Sequence, residues 1–203
     1  MTTLSIKPRR NWDPVVKLTH WSIVAAVLVN GVLTEGGSWP HIWVGFALAA
    51  MLALRLLWGL VGPAEARFSA FPPSPARALA HIRDIRAGKN HEEPSHNPLG
   101  ALMVYAIWST LGVIIATGIA MAGLPPHAVE EHRPAVQAMV ASPSGADKDQ
   151  DEQGGEEGSP LKEVHETAVN LLYVLIALHL AGVVFETRRS GRQIVLAMMP
   201  GRR

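Results

Sequence analysis

The chain has 203 residues, which suits one domain. Apolar residues make up 48% of it and charged residues 17%, against about 25% charged in an ordinary soluble domain. Cysteine is absent, so disulfides, thiolate metal sites, Cys-ligated iron–sulfur clusters and covalent C-x-x-C-H cofactor attachment are all excluded. The formal net charge of +1 hides a strong segregation of charge along the chain.

Four long apolar runs organise the sequence. The first, Trp21 to Leu33, extends back to about Val15 and takes in Lys17 and His20. The second, His41 to Val61, is apolar except for its first residue and Arg55. The third, Ala101 to Gly123, has no ionisable residue in 23 positions, and at helical rise it covers roughly 30 Å, the hydrocarbon thickness of a bilayer. The fourth, Val164 to Phe185, is interrupted only by His165, Glu166 and His179. These runs predict an all-α integral membrane four-helix bundle with spans at about 15–34, 41–61, 101–123 and 164–186. A cleaved leader does not fit the first run, which starts late, lacks a small-residue cleavage site and is followed by three more spans. A soluble bundle fits poorly because the third run offers water no polar face.

Loop charges set the expected topology. Lys7, Arg9 and Arg10 precede the spans, with Lys17 at the start of the first; Arg67, Arg77, Arg83, Arg86 and Lys89 lie between spans two and three; Arg188, Arg189, Arg192, Arg202 and Arg203 follow the fourth. All three basic segments fall on one side. The other side has the short turn at 34–40 and a long connection with Arg133, Lys148 and Lys162 against nine acidic residues. The positive-inside rule then places both termini in the cytoplasm. The connection at 125–163 is expected to be an acidic, partly disordered external loop. Its 141–160 stretch (ASPSGADKDQDEQGGEEGSP) has too few large apolar groups to offset the entropy of ordering. Between spans two and three, Pro63, Pro72, Pro73 and Pro75 precede a helical Ala76–Ala87, expected along the cytoplasmic surface with its arginines toward lipid phosphates.

Ionisable residues within a span are costly and call for a reason. Of the nine histidines, His81, His91, His96, His127 and His132 sit in polar connections and read as ordinary solvated side chains. His20, His41, His165 and His179 fall in or at the ends of spans. Placed by depth, they form two level pairs: His20 with His179 on the inner side, His41 with His165 on the outer. His165 and His179 are fourteen residues apart, close to four helical turns. Both therefore leave the fourth span on nearly one face, roughly 21 Å apart along its axis.

Two imidazoles at equal depth on different helices are the ligand set of a six-coordinate b-type haem, held by axial bonds and packing. Small residues should let the macrocycle approach the backbone: Gly45 one turn after His41, Gly182 three residues after His179, with Gly31, Gly112 and Gly118 as further candidates. Arg55, toward the inner side of span two, would either neutralise a haem propionate or snorkel to the interface. A proton relay would recruit buried carboxylates, which the mid-span positions lack. A zinc site would gather its ligands at one depth. A scatter of satisfied core histidines does not predict two level pairs. Trp21, Trp43 and Trp58, near span ends, read as interface anchors or haem-packing residues.

Several stretches carry a family resemblance: WDPVVKLTHWS at 12–22, HIWVGFALAAMLALRLLWGLVGP at 41–63, HNPLGALMV at 96–104, VHETAVNLLYVLIALHLAGVV at 164–184 and the terminal GRR at 201–203. The chain resembles the bacterial cytochrome b561 family and the related b-type cytochrome subunits of nickel–iron hydrogenases, over all four spans but not over the 125–160 insert. The resemblance implies a bundle with two non-covalent haem b groups, quinone-linked electron transfer and a place in the bacterial inner membrane. His20, His41, His165 and His179 match the family's haem ligands, and Arg55 matches a basic position of its pattern.

With both axial positions of each haem filled by histidine, the expected activity is electron transfer and not oxygenation. The first reading is a cytochrome that carries electrons between the quinone pool and an external redox protein such as a periplasmic c-type cytochrome, steered by the acidic 147–157 cluster. The alternatives are a quinone-linked oxidoreductase acting on a small molecule such as superoxide, and a haem-bearing membrane anchor of a larger redox enzyme. Lys17 and Arg55 are candidate donors to a quinone headgroup. The other partner is membrane lipid; no nucleic acid is expected.

Overall fold

A computed structural model describes residues 13–88, 97–123, 159–191 and 193–199. These are all helix, turn and connection, with no strand among the described residues. The elements are α1 (Pro14–Leu28), α2 (Trp39–Val61), α3 (Pro75–Arg86), α4 (Pro98–Ala122), α5 (Pro160–Ser190) and the short α6 (Gln193–Met198). α1 continues through a π turn at Val29–Leu33. Two single 3₁₀ turns, Ala64–Ala66 and Phe68–Ala70, follow α2.

Four helical stretches are long and apolar enough to cross a membrane: Pro14–Leu33, Trp39–Val61, Pro98–Ala122 and Pro160–Arg189. They match the four expected spans, but α4 starts three residues and α5 four residues earlier than hydropathy suggests. Each start carries its own signal. Asp13, Ser38, Ser74, Asn97 and Ser159 are the N-cap residues, and proline fills the first or second helical position every time. There its fixed φ fits the helix and its missing N–H has nothing to bond. Four of these caps accept a backbone N–H from the first turn; Asn97 Oδ1, for example, takes Gly100 N–H at 2.7 Å. The acidic connection lies almost wholly outside the described residues; its last part, from Pro160, belongs to α5.

The helices pack as two antiparallel pairs. α1 lies on α2, α4 lies on α5, and the pairs meet along α2 and α4. Contact of α5 with α1 and α2 is sparse among the described residues. The apolar core is small: Leu48 and Leu52 of α2, Leu111 of α4 and Leu172 of α5. Most other large apolar side chains, such as Leu57, Leu60, Val174, Leu178 and Leu180, face outward. A bundle whose exterior is as apolar as its interior is built for lipid.

At one end of the bundle, Asp13 does two jobs. Its Oδ1 accepts the N–H of Val15 at 2.9 Å and of Val16 at 3.1 Å, and it also accepts Trp58 Nε1–H at 3.0 Å, which ties the start of α1 to the end of α2. At the other end these helices are joined by a tight turn in which Gly37 takes φ +75°, a conformation that disfavours any side chain. Replacing Asp13 by Ala removes the cap and the tie together. The expected outcome is a loss of ~1–2 kcal/mol, read as a lower midpoint of thermal unfolding in detergent, with Asn recovering part of it.

Candidate functional site

His20 lies on α1, His41 in the first turn of α2, and His165 and His179 on α5. The fold brings them together as two facing pairs. The ring centres of His20 and His179 are 6.5 Å apart with planes inclined by 53°. Those of His41 and His165 are 6.4 Å apart, inclined by 60°. Leu172 stands midway between His165 and His179, and Leu48 lies two turns beyond His41, so the leucine core separates the two levels.

That spacing is informative. An imidazole nitrogen bonds a first-row metal at about 2 Å and its ring centre lies about 1 Å behind, so two imidazoles trans on one metal have centres about 6 Å apart. Rings in direct hydrogen-bond contact would be closer. Among the described residues no group of three or more His, Cys, Asp or Glu converges, so neither level offers the ligands of a protein-only zinc site. Each supplies two nitrogens, which suits a metal whose remaining ligands come from a macrocycle.

The environments of the two pairs differ. The Thr117 hydroxyl of α4 lies 2.8 Å from the Val113 carbonyl and 3.1 Å from that of Ile114, and donates to them. Its oxygen is 2.9 Å from His165 Nδ1. With its proton committed to the backbone, the hydroxyl accepts from Nδ1–H. Nε2 of His165 is then the unprotonated nitrogen, the one that can bind a metal. Thr34 repeats the arrangement: Oγ1 sits 3.3 Å from Asn30 O, from Asn30 Oδ1 and from His41 Nδ1. The π turn brings Asn30 and Thr34 to this place, with Thr34 N–H reaching back to Val29 O at 3.1 Å. Asn30 Nδ2 donates to His41 O at 3.1 Å, and Ser38 Oγ takes His41 N–H at 3.4 Å. The rings of His20 and His179 make no hydrogen bond among the described residues; His20 meets Trp21 edge-on at 5.5 Å.

A Cβ added at Gly182 would meet no protein heavy atom within 4 Å, and one at Gly45 only Asn30 Nδ2 at 4.0 Å. Gly112 is as open as Gly182. Gly118 and Gly31 are closely covered: a Cβ at Gly118 would lie 3.4 Å from His165 Cε1, and one at Gly31 would run into Tyr173 Oη at 2.6 Å.

Arg55 is only 5% exposed, so it does not snorkel. Its Nη1 and Nη2 donate to the Ala66 carbonyl at 3.5 and 3.4 Å, and its Cζ lies 4.9 Å over the Trp108 ring. Phe68 and Phe71, from the segment after α2, pack edge-on against Trp108 and tilted against Tyr105. Phe68 also covers Gly59, where a Cβ would clash with its ring. Arg55 thereby holds this segment against α2 and α4. Lys17 is half-buried. Trp21 is exposed and donates to Met198 O at 2.9 Å, Trp43 is exposed beside Trp39, and Trp58 is tied to Asp13.

His81 is not the solvated side chain that its polar surroundings in sequence suggest. It is 8% exposed, and its Nε2 has no hydrogen-bond partner among the described residues. α3 is amphipathic and turns Ala78 and His81 inward as it packs on α4, leaving Arg77, Arg83 and Arg86 outside. His91, His96, His127 and His132 lie outside the described residues.

A sequence model of prokaryotic cytochrome b561 matches residues 11–201. The chain belongs to this family. It is a multi-pass bacterial membrane protein that binds b-type haem and works in electron transfer. No curated protein and no solved structure matches the chain.

The residues present fit a b-type haem: the ring spacing is that of trans imidazoles, and Gly45 shares a helix face with His41 one turn away. Filling that face separates folding from binding. Gly45→Leu is expected to leave a folded protein, because space exists around the Cβ, yet to lower the haem-to-protein ratio. Gly59→Leu is expected to lower the yield of folded protein itself, because Phe68 stands in the way. Absorbance ratios after gel filtration check both.

Proposed function

We propose that this cytochrome carries two haem b groups, one held by His20 and His179 and the other by His41 and His165. In this reading it passes electrons between quinone in the lipid phase and a redox protein on the side of the acidic connection. The observation that carries the reading is the pair of opposed imidazoles at each of two levels, 6.5 and 6.4 Å between ring centres. When bound, each haem would be held by two histidines and would supply a one-electron carrier suited to electron transfer and not to oxygen binding.

The chain's own residues position and insulate. α5 provides one ligand at each level, which fixes the two sites relative to each other on a single rigid element. α1 and α2 provide the opposite ligands and are locked together at both ends. Leu48, Leu52, Leu111 and Leu172 keep the seam between the levels dry. Arg55 keeps N–H donors beyond those spent on Ala66 O, and these can pair with a propionate carboxylate. Gly45 and Gly182 leave room beside the ligand helices. The three basic segments support a cytoplasmic location for both termini in an inner membrane, with the 125–163 connection outside. The acidic residues of 147–157 there would attract a basic c-type cytochrome and accelerate encounter at low salt.

A pyridine haemochrome assay on the purified protein is expected to give two haems per chain. His179→Ala is expected to retain one of them, with the His41/His165 level intact; one haem or none in the wild type, or two in the variant, would overturn the assignment. In rapid-mixing experiments, the quinol-reduced protein in nanodiscs is expected to be reoxidised by a basic c-type cytochrome at a rate that falls as ionic strength rises. Reoxidation by superoxide but not by the cytochrome would instead identify a small-molecule oxidoreductase.

A further inference from the structure

The His41/His165 level has hydroxyl partners that the His20/His179 level lacks among the described residues. We propose that Thr117 and Thr34 are positioning residues for the haem at that level: they fix the tautomer and electron donation of its two axial imidazoles and hold its midpoint potential down. The inference rests on the two-haem reading above.

A threonine hydroxyl has one proton and two lone pairs. In Thr117 the proton faces Val113 O at 2.8 Å and Ile114 O at 3.1 Å, so only a lone pair is left for His165 Nδ1 at 2.9 Å. Thr34 Oγ1 has the same kinds of neighbour, two acceptors of Asn30 and His41 Nδ1, each at 3.3 Å, and with its proton on Asn30 it offers the ring a lone pair in the same way, through a longer contact. On this accounting both imidazoles carry hydrogen on Nδ1 and an open Nε2, His165 the more firmly. An Nδ1–H that donates to an oxygen makes the ring a stronger ligand through Nε2. A stronger axial donor favours the oxidised iron over the reduced iron. Both ligands of one haem are treated alike, and the 2.9 Å bond of Thr117 should outweigh the 3.3 Å bond of Thr34. Threonine in a helix commonly bonds its own backbone and nothing else; here the backbone bond is what orients the lone pair toward the ring.

The test uses the full chain in nanodiscs, with wild type, Thr117→Val, Thr117→Ser and Thr34→Val. Readouts are haem stoichiometry, potentiometric titration and the low-temperature electron paramagnetic resonance of the oxidised low-spin haems. His179→Ala identifies which midpoint belongs to the His41/His165 level. Thr117→Val keeps the side-chain shape and removes the acceptor. It is expected to raise that midpoint by about threefold in the reduced-to-oxidised ratio, ~28 mV for a one-electron couple, and to shift that haem's resonance while the His20/His179 haem stays put. Thr34→Val should shift the same midpoint upward by less, and Thr117→Ser should restore wild-type values. A wild type without two haems would sink the underlying reading. Two haems in the wild type, with both midpoints and both resonances unmoved in Thr117→Val, would overturn this proposal alone. So would a Thr117→Ser that behaves like the valine variant. If Thr117→Val fails to fold, Thr34→Val decides, and an unmoved midpoint there overturns the proposal.

Discussion

Imidazole facing imidazole across a lipid-embedded seam is the constraint around which the rest of the molecule is arranged. A polar ring in that setting is expensive unless its nitrogens have partners, and two rings with centres 6.4–6.5 Å apart leave room for one metal between them and for little else. α5 must present such a ring twice, to α1 at one level and to α2 at the other. Its contact with either helix is sparse, limited to points such as Tyr173 over Gly31 and Leu172 in the leucine core. α4 takes up the packing that α5 forgoes, and the leucine core fills the seam only between the levels. Helix pairing and the small core both go with the distance kept between α5 and these two helices.

The two ends of the bundle meet this constraint by different means. At the end with His20, the devices are aromatic and ionic: Asp13 binds Trp58, and Arg55 holds the Ala66 carbonyl while lying over Trp108. Phe68 and Phe71 close the gap between α2 and α4. At the end with His41, the devices are short polar side chains. The π turn widens α1 just enough to set Asn30 and Thr34 beside His41, and Ser38 caps α2 within reach of the histidine's own N–H. π turns are uncommon and tend to occur at functional sites; this one lies against His41, a ligand residue in the proposed reading.

Spans and the pairing of the four histidines were legible in the sequence because they rest on signals summed over many residues: long apolar runs and a fourteen-residue spacing. Helix starts were legible too, but in a different signal. Asn97-Pro98 and Ser159-Pro160 mark α4 and α5 better than hydropathy does, since a cap acts through one hydrogen bond and not through apolar surface. His81 escaped because its burial is decided by how α3 lies on α4, which no local pattern of α3 fixes. Arg55 stood out in the sequence as a charge within a span, but its bond to Ala66 did not, because that partner is a backbone carbonyl eleven residues later and carbonyls look alike in a sequence. Thr34 and Thr117 escaped for a related reason. A helical threonine almost always has a backbone acceptor within its own turn, so nothing in the sequence separates one that also serves a neighbouring ring. For Thr34 the π turn also shifts the helical phase by which its face would be judged.

The small core bears on how such a chain becomes a stable protein. Four large apolar residues define the buried cluster, and most of the remaining apolar surface faces the lipid, where burial between helices gains little because the tails are as apolar as leucine. Association of α5 with α1 and α2 must then draw on something other than apolar contact. A group that binds the assembled imidazole pairs, and has no such paired site in separated helices, stabilises the assembly by mass action. Each helix interface that carries one of the facing histidine pairs would thereby be coupled to occupancy, whereas α1 on α2 and α4 on α5 hold by direct packing, caps and the Asp13–Trp58 tie. In the proposed two-haem reading, residues that strengthen the pairs act on potential and on assembly at once. In a bundle built this way the positioning of an axial ring and the stability of the fold are one problem.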